Sequence, residues 1–108
     1  KIERIQNYIH HNIHYPDKLL TPTIAAHFSL SDSGLRQFFK NKMEMPINQY
    51  INELKINIIK SRIAHSDLTL SQVALEFGFA DASHFNKFFF KFEKQNPSKY
   101  RASLKNKK

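Results

Sequence analysis

A short pattern occurs twice in this chain, and this repeat limits the possible folds more than any other feature. Residues 24–30 (IAAHFSL) recur as 73–79 (VALEFGF), and each copy is followed by a second helix-forming stretch, LRQFFK at 35–40 and FNKFFFK at 85–91. The offset between the copies is 49 residues before the turn (24 to 73) and 50 after it (35 to 85). One residue has therefore been added in the second turn. Two copies of a short helix, a tight turn and a longer helix predict paired helix-turn-helix units.

Apolar residues recur at helical spacing along the chain, which indicates an all-α fold. The first helix carries one apolar stripe, because its isoleucines step by three and four residues, at Ile2, Ile5, Ile9 and Ile13. Prolines are tolerated in a first helical turn and mark three further helix starts, at Pro22, Pro46 and Pro97. The sequence TLSQ at 69–72 predicts a capping box at the start of the short helix of the second copy.

The pattern divides the 108-residue chain into two halves and a connecting helix. The first half covers 1–45, the linker helix lies within 46–65, and the second half covers 66–108. A helix of about sixteen residues spans ~24 Å, which is long enough to hold the halves at a fixed separation. Because the chain begins with Lys1 rather than Met, we expect it to be a fragment of a longer protein.

Charge and composition narrow the class of partner. Seventeen Lys and Arg against nine Asp and Glu give a net charge of +8, which favours a polyanion such as nucleic acid or an anionic membrane surface. Absence of cysteine excludes disulfides and thiolate zinc sites. No apolar run approaches the ~20 residues of a membrane span and no signal-peptide core is present, so we expect a cytoplasmic protein without a membrane partner.

Catalytic and metal-binding patterns are weak. The chain has no G-x-x-x-x-G-K phosphate loop and no cluster of paired carboxylates, so we expect no enzymatic activity and no cofactor. Three histidines lie close together at His10, His11 and His14, but no carboxylate in the same stretch completes a ligand set. We expect no metal site.

In a helix-turn-helix unit the N-terminal part of the second helix meets base edges in the major groove. With the apolar residues at i, i+4 turned inward, the outward residues of the first recognition helix are Ser33, Gly34, Arg36, Gln37 and Lys40. The corresponding residues of the second recognition helix are Ala82, Ser83, Asn86, Lys87 and Lys91.

These residue types suit DNA recognition. Arg bonds guanine through two hydrogen bonds, Gln and Asn can do so with adenine, and Ala meets the thymine methyl group. Lys40 and Lys91 lie further along their helices and suit phosphate contacts, whereas Lys87 suits either role. The alternative is a solvated polar face on an ordinary helical bundle, which the duplication at fixed register makes the weaker interpretation.

Motifs along nearly the whole chain resemble the DNA-binding domain of AraC/XylS-type transcription regulators. They are residues 24–40, YI at 50–51, KI at 55–56, VAxxxGFxDxSxFxKxF at 73–89 and PxxYR at 97–101. The resemblance implies a seven-helix domain with two homeodomain-like helix-turn-helix units joined by a long linker helix. It also implies promoter DNA and RNA polymerase as partners, transcription activation, and an effector or dimerisation domain outside this chain.

Several positions depart from the family pattern. The glycine usual after each recognition helix is replaced by Glu44 and Lys94, so we expect both helix exits to use a conformation that does not favour glycine. Phe90 stands where a basic residue is usual, which weakens a phosphate contact there. Lys55 and Lys87 replace common arginines, which keeps the charge but loses the fork geometry.

Three functions therefore compete. The first is sequence-specific promoter binding by two recognition helices about one helical turn (~34 Å) apart on the duplex. The second is nonspecific or architectural DNA binding, and the third is a basic protein-interaction or membrane-surface module. Under the first, we expect the first copy to supply more of the direct base discrimination and the second more of the structural anchor, because Arg36, Gln37 and Lys40 belong to the first.

Overall fold

Seven α-helices and one short 3-10 helix make up the computed structural model, which describes residues 1–105, and no strand occurs in that range. The helices are α1 (Ile2–His11), α2 (Thr21–His27), α3 (Asp32–Met43), α4 (Ile47–His65), α5 (Leu70–Glu76), α6 (Ala82–Glu93) and α7 (Pro97–Lys105), and the 3-10 helix is Pro16–Leu19. The predicted all-α fold with seven helices and two helix-turn-helix motifs, α2–α3 and α5–α6, is confirmed. Residues 106–108 of the predicted second half lie outside the described residues.

The chain forms two compact units that divide within α4, unit 1 (Lys1–Lys55) and unit 2 (Ile56–Lys108). Each unit has its own apolar core. The core of unit 1 contains Ile5, Ile9, Ile13, Leu19, Ile24, Ala25, Leu35, Phe39, Ile47 and Ile51. The core of unit 2 contains Ile56, Ile59, Ile63, Val73, Ala74, Phe77, Phe85, Phe89 and Pro97.

The turn of unit 1 closes as a Schellman motif. The amide of Leu30 donates to the carbonyl of Ala25 at 2.8 Å, and the amide of Ser29 donates to that of Ala26 at 3.2 Å. Ser29 takes a left-handed conformation with φ of 58°. These bonds satisfy carbonyls at the end of α2 and turn the chain directly into α3.

Unit 2 closes its turn in the same way. The amide of Phe79 donates to the carbonyl of Ala74 at 3.1 Å, and Gly78 takes the left-handed position with φ of 76°. A glycine adopts this conformation without a steric cost. Ala80 then separates the turn from the N-cap residue Asp81, which confirms the additional residue predicted for the second turn.

Side chains cap the starts of α3, α5 and α6. Ser31 is the N-cap of α3 and Asp81 is the N-cap of α6, and each side chain accepts from the amide three residues later, at 3.0 and 2.9 Å. The capping box predicted for α5 is confirmed, since Thr69 and Gln72 form it through bonds of 3.1 and 2.8 Å. Each cap satisfies backbone donors that a helix start leaves free.

The duplication extends to α1 and the C-terminal part of α4, at an offset of 54 residues (8 to 62, 12 to 66). In unit 1 the ring of Tyr8 packs on that of His27 of α2, with 4.6 Å between centroids. The equivalent pair in unit 2 is the ion pair of Arg62 with Glu76 of α5, at 2.9 Å. The same junction between helices is therefore made by an aromatic contact in one unit and by charges in the other.

Two further contacts support this offset. The side chain of Asn12 donates to the carbonyl of the residue four positions earlier, and that of Ser66 does the same. Gln6 reaches the hydroxyl of Tyr50, whereas Lys60 lies over the ring of Tyr100. The offset differs from that of the motifs because unit 1 carries the additional 3-10 helix between its first two α-helices.

The expectation for the exits of the recognition helices was wrong. Glu44 and Lys94 have φ of 61° and 59°, which is the left-handed conformation that favours glycine. Each amide donates at 2.8 Å to the carbonyl four residues earlier. The chain must reverse within a few residues so that Ile47 in unit 1 and Pro97 in unit 2 reach their cores. This requirement outweighs the ~1–2 kcal/mol that an L-residue loses there.

Lys94→Gly should therefore stabilise the protein by about 1 kcal/mol, because glycine removes the strain at a left-handed helix end. Lys91→Gly is the matched control, since it makes the same change three residues earlier, at a helical residue in the last turn of α6, and should destabilise by about 0.5–1 kcal/mol. Urea unfolding of both variants measures the difference. Equal effects of the two substitutions on the free energy of unfolding would contradict a left-handed conformation at Lys94.

Candidate nucleic-acid interface

Helix α3 presents a polar face because its apolar face is fully used in packing. Leu35 and Phe39 are both 0% exposed. The residues on the other side that are exposed are Ser33, Arg36, Gln37 and Lys40. The structure thus brings four of the five predicted residues of the first recognition helix to one solvent-facing surface.

Gly34 differs from the other four. It is half-buried, and its amide donates to the Oγ of Ser31 at 3.0 Å. A Cβ at this position would stand 2.9 Å from that same oxygen. The absence of a side chain thus protects the N-cap of α3, and the predicted DNA contact of Gly34 stays a prediction.

Arg36 is held within unit 1 by two acceptors. Its Nε donates to Oδ2 of Asp32 at 3.1 Å, and its Nη2 donates to Oγ1 of Thr21 at 2.8 Å. Thr21 is only 4% exposed and is the first residue of α2. A hydrogen bond with Thr21, followed by the bond to Arg36, lowers the pKa of the Asp32 carboxyl below its ordinary value.

Only one of these two partners could be predicted from the sequence. Asp32 precedes Arg36 by four residues, which is the spacing of an ion pair on one helix face. Thr21 lies fifteen residues before Arg36, on another helix, so that only the packing of α2 on α3 brings them together.

Helix α6 presents the corresponding face in unit 2. Phe85 and Phe89 are buried against the core. All five predicted residues of this recognition helix are exposed, namely Ala82, Ser83, Asn86, Lys87 and Lys91. Apart from Lys87 and Lys91, these predicted residues have short side chains.

Phe90 interrupts this polar face. Its side chain is 55% exposed, whereas Phe88 and Phe92 are half-buried and their rings lie 5.0 Å apart. A shallow depression of about 420 Å³ surrounds Phe90, and Lys87 and Lys91 are among the residues that line it. The aromatic ring therefore takes the position at which α3 carries Lys40.

His84 faces solvent and pairs with the N-cap of α6. Its Nδ1 lies 3.0 Å from Oδ1 of Asp81, and both side chains are more than half exposed. The amide of His84, followed by its ring, lowers the pKa of the Asp81 carboxyl below its ordinary value. The second recognition helix thus begins at a carboxylate that accepts two hydrogen bonds from one residue.

Within residues 1–105, no three His, Asp or Glu side chains are grouped closely enough to hold a metal ion. The ring of His10 lies 3.3 Å from the hydroxyl of Tyr50, and that of His11 lies 2.8 Å from the carbonyl of Asn7. In the same range, no helix has both the length and the apolar character that a bilayer span needs.

Two helix-turn-helix motifs that expose polar recognition helices on a basic chain define a DNA-binding domain of a transcription regulator. The family described as "Helix-turn-helix domain" matches residues 24–103. The chain belongs to this family, whose helix-turn-helix motifs are of the AraC type.

Relatives and solved structures are similar over most of the chain. The regulator YijO of Escherichia coli is 29% identical over 92% of this chain and 34% of its own length. The activator RhaR of Cronobacter sakazakii is 33% identical over 59% of this chain and 23% of its own length. An uncharacterized HTH-type transcriptional regulator of Staphylococcus aureus is 26% identical over 94% of this chain and 13% of its own length. The chain thus spans about a third or less of these relatives.

Two crystal structures share the fold. The C-terminal domain of the response regulator yesN from Fusobacterium nucleatum has a TM-score of 0.85 at 24% identity, covering 93% of this chain and 96% of that one. A regulator from Chromobacterium violaceum, described by its AraC-type DNA-binding domain, has a TM-score of 0.80 at 23% identity, covering 98% of this chain and 93% of that one.

The cap at Asp81 should make stability depend on pH. In the folded protein the pKa of Asp81 lies below the value of about 3.9 that an Asp has in an unfolded chain. The contribution of the ionised cap to stability is therefore present above about pH 3.9 and is lost as the pH falls through the lower pKa of the folded state. Asn also caps helices well, so Asp81→Asn should resemble the parent near neutral pH and lose less stability in acid. Melting temperatures between about pH 6 and pH 2 test this.

Asp67→Asn is the control for that experiment. It removes one negative charge from the segment between α4 and α5, where no helix cap depends on it. A flattening of the pH profile in Asp67→Asn equal to that in Asp81→Asn would show that net charge, rather than the cap, is responsible.

Proposed function

We propose that this chain binds promoter DNA sequence-specifically, with α3 and α6 lying in successive major grooves. One observation carries the proposal, namely that each recognition helix buries two apolar residues one turn apart and exposes hydrogen-bonding side chains in its first turns. Two such helices read two short blocks of sequence, and the basic charge of +8 supplies attraction to phosphates.

In unit 1, Arg36 and Gln37 contact base edges and Lys40 contacts phosphate. Arg36 and Gln37 lie on the exposed face within the first two turns of α3, the part that enters the groove. Lys40 lies one turn later. Ser33 and Gly34 are at the helix start, where Ser33 can donate to a base or a phosphate and Gly34 allows a close approach.

In unit 2, Ser83 and Asn86 read bases, Ala82 meets a thymine methyl group and Lys91 contacts phosphate. Lys87 follows Asn86 on the exposed face and reaches either. Fewer long polar side chains are available here, so unit 1 supplies more of the base discrimination.

The complete protein is a transcription activator in this proposal. The support is its similarity to RhaR, which is named an activator, and the far greater length of the relatives. The additional length accommodates an effector or dimerisation domain, and activation requires contact with RNA polymerase. The protein acts in the cytoplasm, where bacterial promoters lie, and this domain uses no cofactor and catalyses no reaction.

Nonspecific architectural binding is the second candidate, and the excess of positive charge favours it. Selection of bound duplexes from a random pool separates the two. A specific reader enriches two short blocks whose centres lie about one helical turn apart. Recovery of duplexes without any common sequence would leave only the architectural function.

Substitution of Gln37 or Asn86 by Ala should reduce the preference for the selected duplex over a random one by about tenfold, through loss of base contacts worth ~1–3 kcal/mol. The salt dependence of binding should be unchanged, because neither side chain is charged. Titrations at several salt concentrations measure both quantities. If a variant lost the same affinity for the selected and the random duplex, base recognition by Gln37 or Asn86 would be contradicted.

The phosphate contacts give an opposite pattern. Lys40→Ala should reduce the magnitude of the log–log salt slope by about one, and Phe90→Lys should increase it by about one, because each changes one phosphate contact. Preference among sequences should be unaffected. Lys18→Ala, on the 3-10 helix, is the control that removes the same charge from outside the recognition helices.

A further inference from the structure

The two hydrogen bonds of Arg36 use one side of its guanidinium group. Nε donates to Asp32, and Nη2 donates to Thr21. A guanidinium carries five N–H donors in a planar fork. Three remain, two on Nη1 and one on Nη2, and no acceptor for them is found among residues 1–105. Two of these, one on Nη1 and one on Nη2, point along the end of the planar group, and the third lies on the side of Nη1 opposite to the two bonds.

The free end of the fork matches one ligand in DNA. Guanine presents two acceptors, O6 and N7, on its major-groove edge, and a planar pair of donors bonds both at once. The Nη1 and Nη2 atoms of Arg36 form such a pair. Since the side chain is about half exposed, this end can reach a base without breaking the bonds to Asp32 and Thr21.

The supporting residues are themselves fixed. Thr21 is almost fully buried at the start of α2, and Asp32 lies in the first turn of α3 directly after the N-cap Ser31. Two anchors on different helices hold the planar group in one orientation. The side chain of Arg36 is therefore already ordered in the free protein, so less conformational entropy is lost on binding. This favours affinity for a base that fits the fixed orientation and disfavours a base that does not.

Unit 2 contains no such arrangement. The positions equivalent to Thr21, Asp32 and Arg36 are Leu70, Ala82 and Asn86. Neither Leu70 nor Ala82 can accept a side-chain hydrogen bond, and Asn86 carries a short amide in place of the guanidinium. The support is therefore not a general requirement for packing the first helix of a motif on the second.

We propose that Thr21 and Asp32 are positioning residues that orient Arg36 to read a guanine through its Nη1 and Nη2 atoms. The inference rests on the proposed function, because it names the base that this part of the interface recognises. It predicts that the preference for a guanine in the block read by unit 1 depends on Arg36, Thr21 and Asp32, of which only Arg36 contacts the base.

The experiment uses the duplex selected by the parent chain and a matching duplex in which the candidate guanine is replaced by adenine. Arg36→Lys keeps the charge without the fork and identifies the guanine, since preference for it should fall about tenfold or more. Thr21→Val removes the hydroxyl at nearly constant shape, whereas Thr21→Ser retains it. Thr21→Val should lower the guanine preference about fivefold, and Thr21→Ser should restore it.

Asp32→Asn tests the second anchor and remains informative should Thr21→Val fail to fold. It should lower the guanine preference by a similar factor, while affinity for every duplex rises because one negative charge is lost. Asp17→Asn makes the same change of charge elsewhere in unit 1 and should raise affinity without changing the preference. Melting temperatures of all variants establish that they are folded.

Three outcomes would overturn the inference. A guanine preference that is unchanged in both Thr21→Val and Asp32→Asn would show that the two residues serve packing alone. An increase in preference in Asp32→Asn would show that the ion pair withholds Arg36 from DNA. Equal binding of the parent chain to all duplexes would overturn the proposed function as well, so the two failures are distinguishable.

Discussion

Burial of the inner faces of α3 and α6 is the constraint on which the DNA-binding surface depends. Phe39 and Phe89 are completely enclosed, and their removal from water contributes ~2–3 kcal/mol each. A rotation of either helix by one residue position, about 100°, would expose such a ring and bury a polar side chain. The direction in which Arg36 or Asn86 points is thus set by the aromatic residues behind it, and the outward face can change in sequence without loss of the fold.

The two units show how much chemistry can vary while this geometry is kept. The helix preceding each motif is fastened to the first motif helix by Tyr8 on His27 in unit 1 and by Arg62 on Glu76 in unit 2. An aromatic pair and a partly exposed ion pair each contribute about 1 kcal/mol or less to stability. Either kind of contact can therefore serve at this junction. Both contacts occur at the same place, between the preceding helix and the first motif helix, and so both hold the motif in the same position against the core of its unit.

Much of the fold follows from local sequence. Repeated apolar spacing places the helices, and capping residues such as Thr69 and Asp81 mark their starts, because both signals act within a few residues. The left-handed exits at Glu44 and Lys94 were missed since their conformation is imposed by the core beyond the turn. The support of Arg36 by Thr21 was missed for the same reason, as it exists only when α2 packs on α3.

The recognition helices differ in how firmly their side chains are held, and this difference bears on specificity. Arg36 is fixed at two points, so a bound base must match an existing orientation. On α6, Asn86 extends into solvent beside Phe90, whose exposed ring offers apolar contact without directional preference. A rigid donor pair discriminates between bases more sharply than a contact that depends on area alone, because a mismatch leaves polar groups without partners. In the proposed complex with DNA, the larger share of base discrimination in unit 1 would therefore arise from Thr21 and Asp32 as much as from the residues that face the DNA.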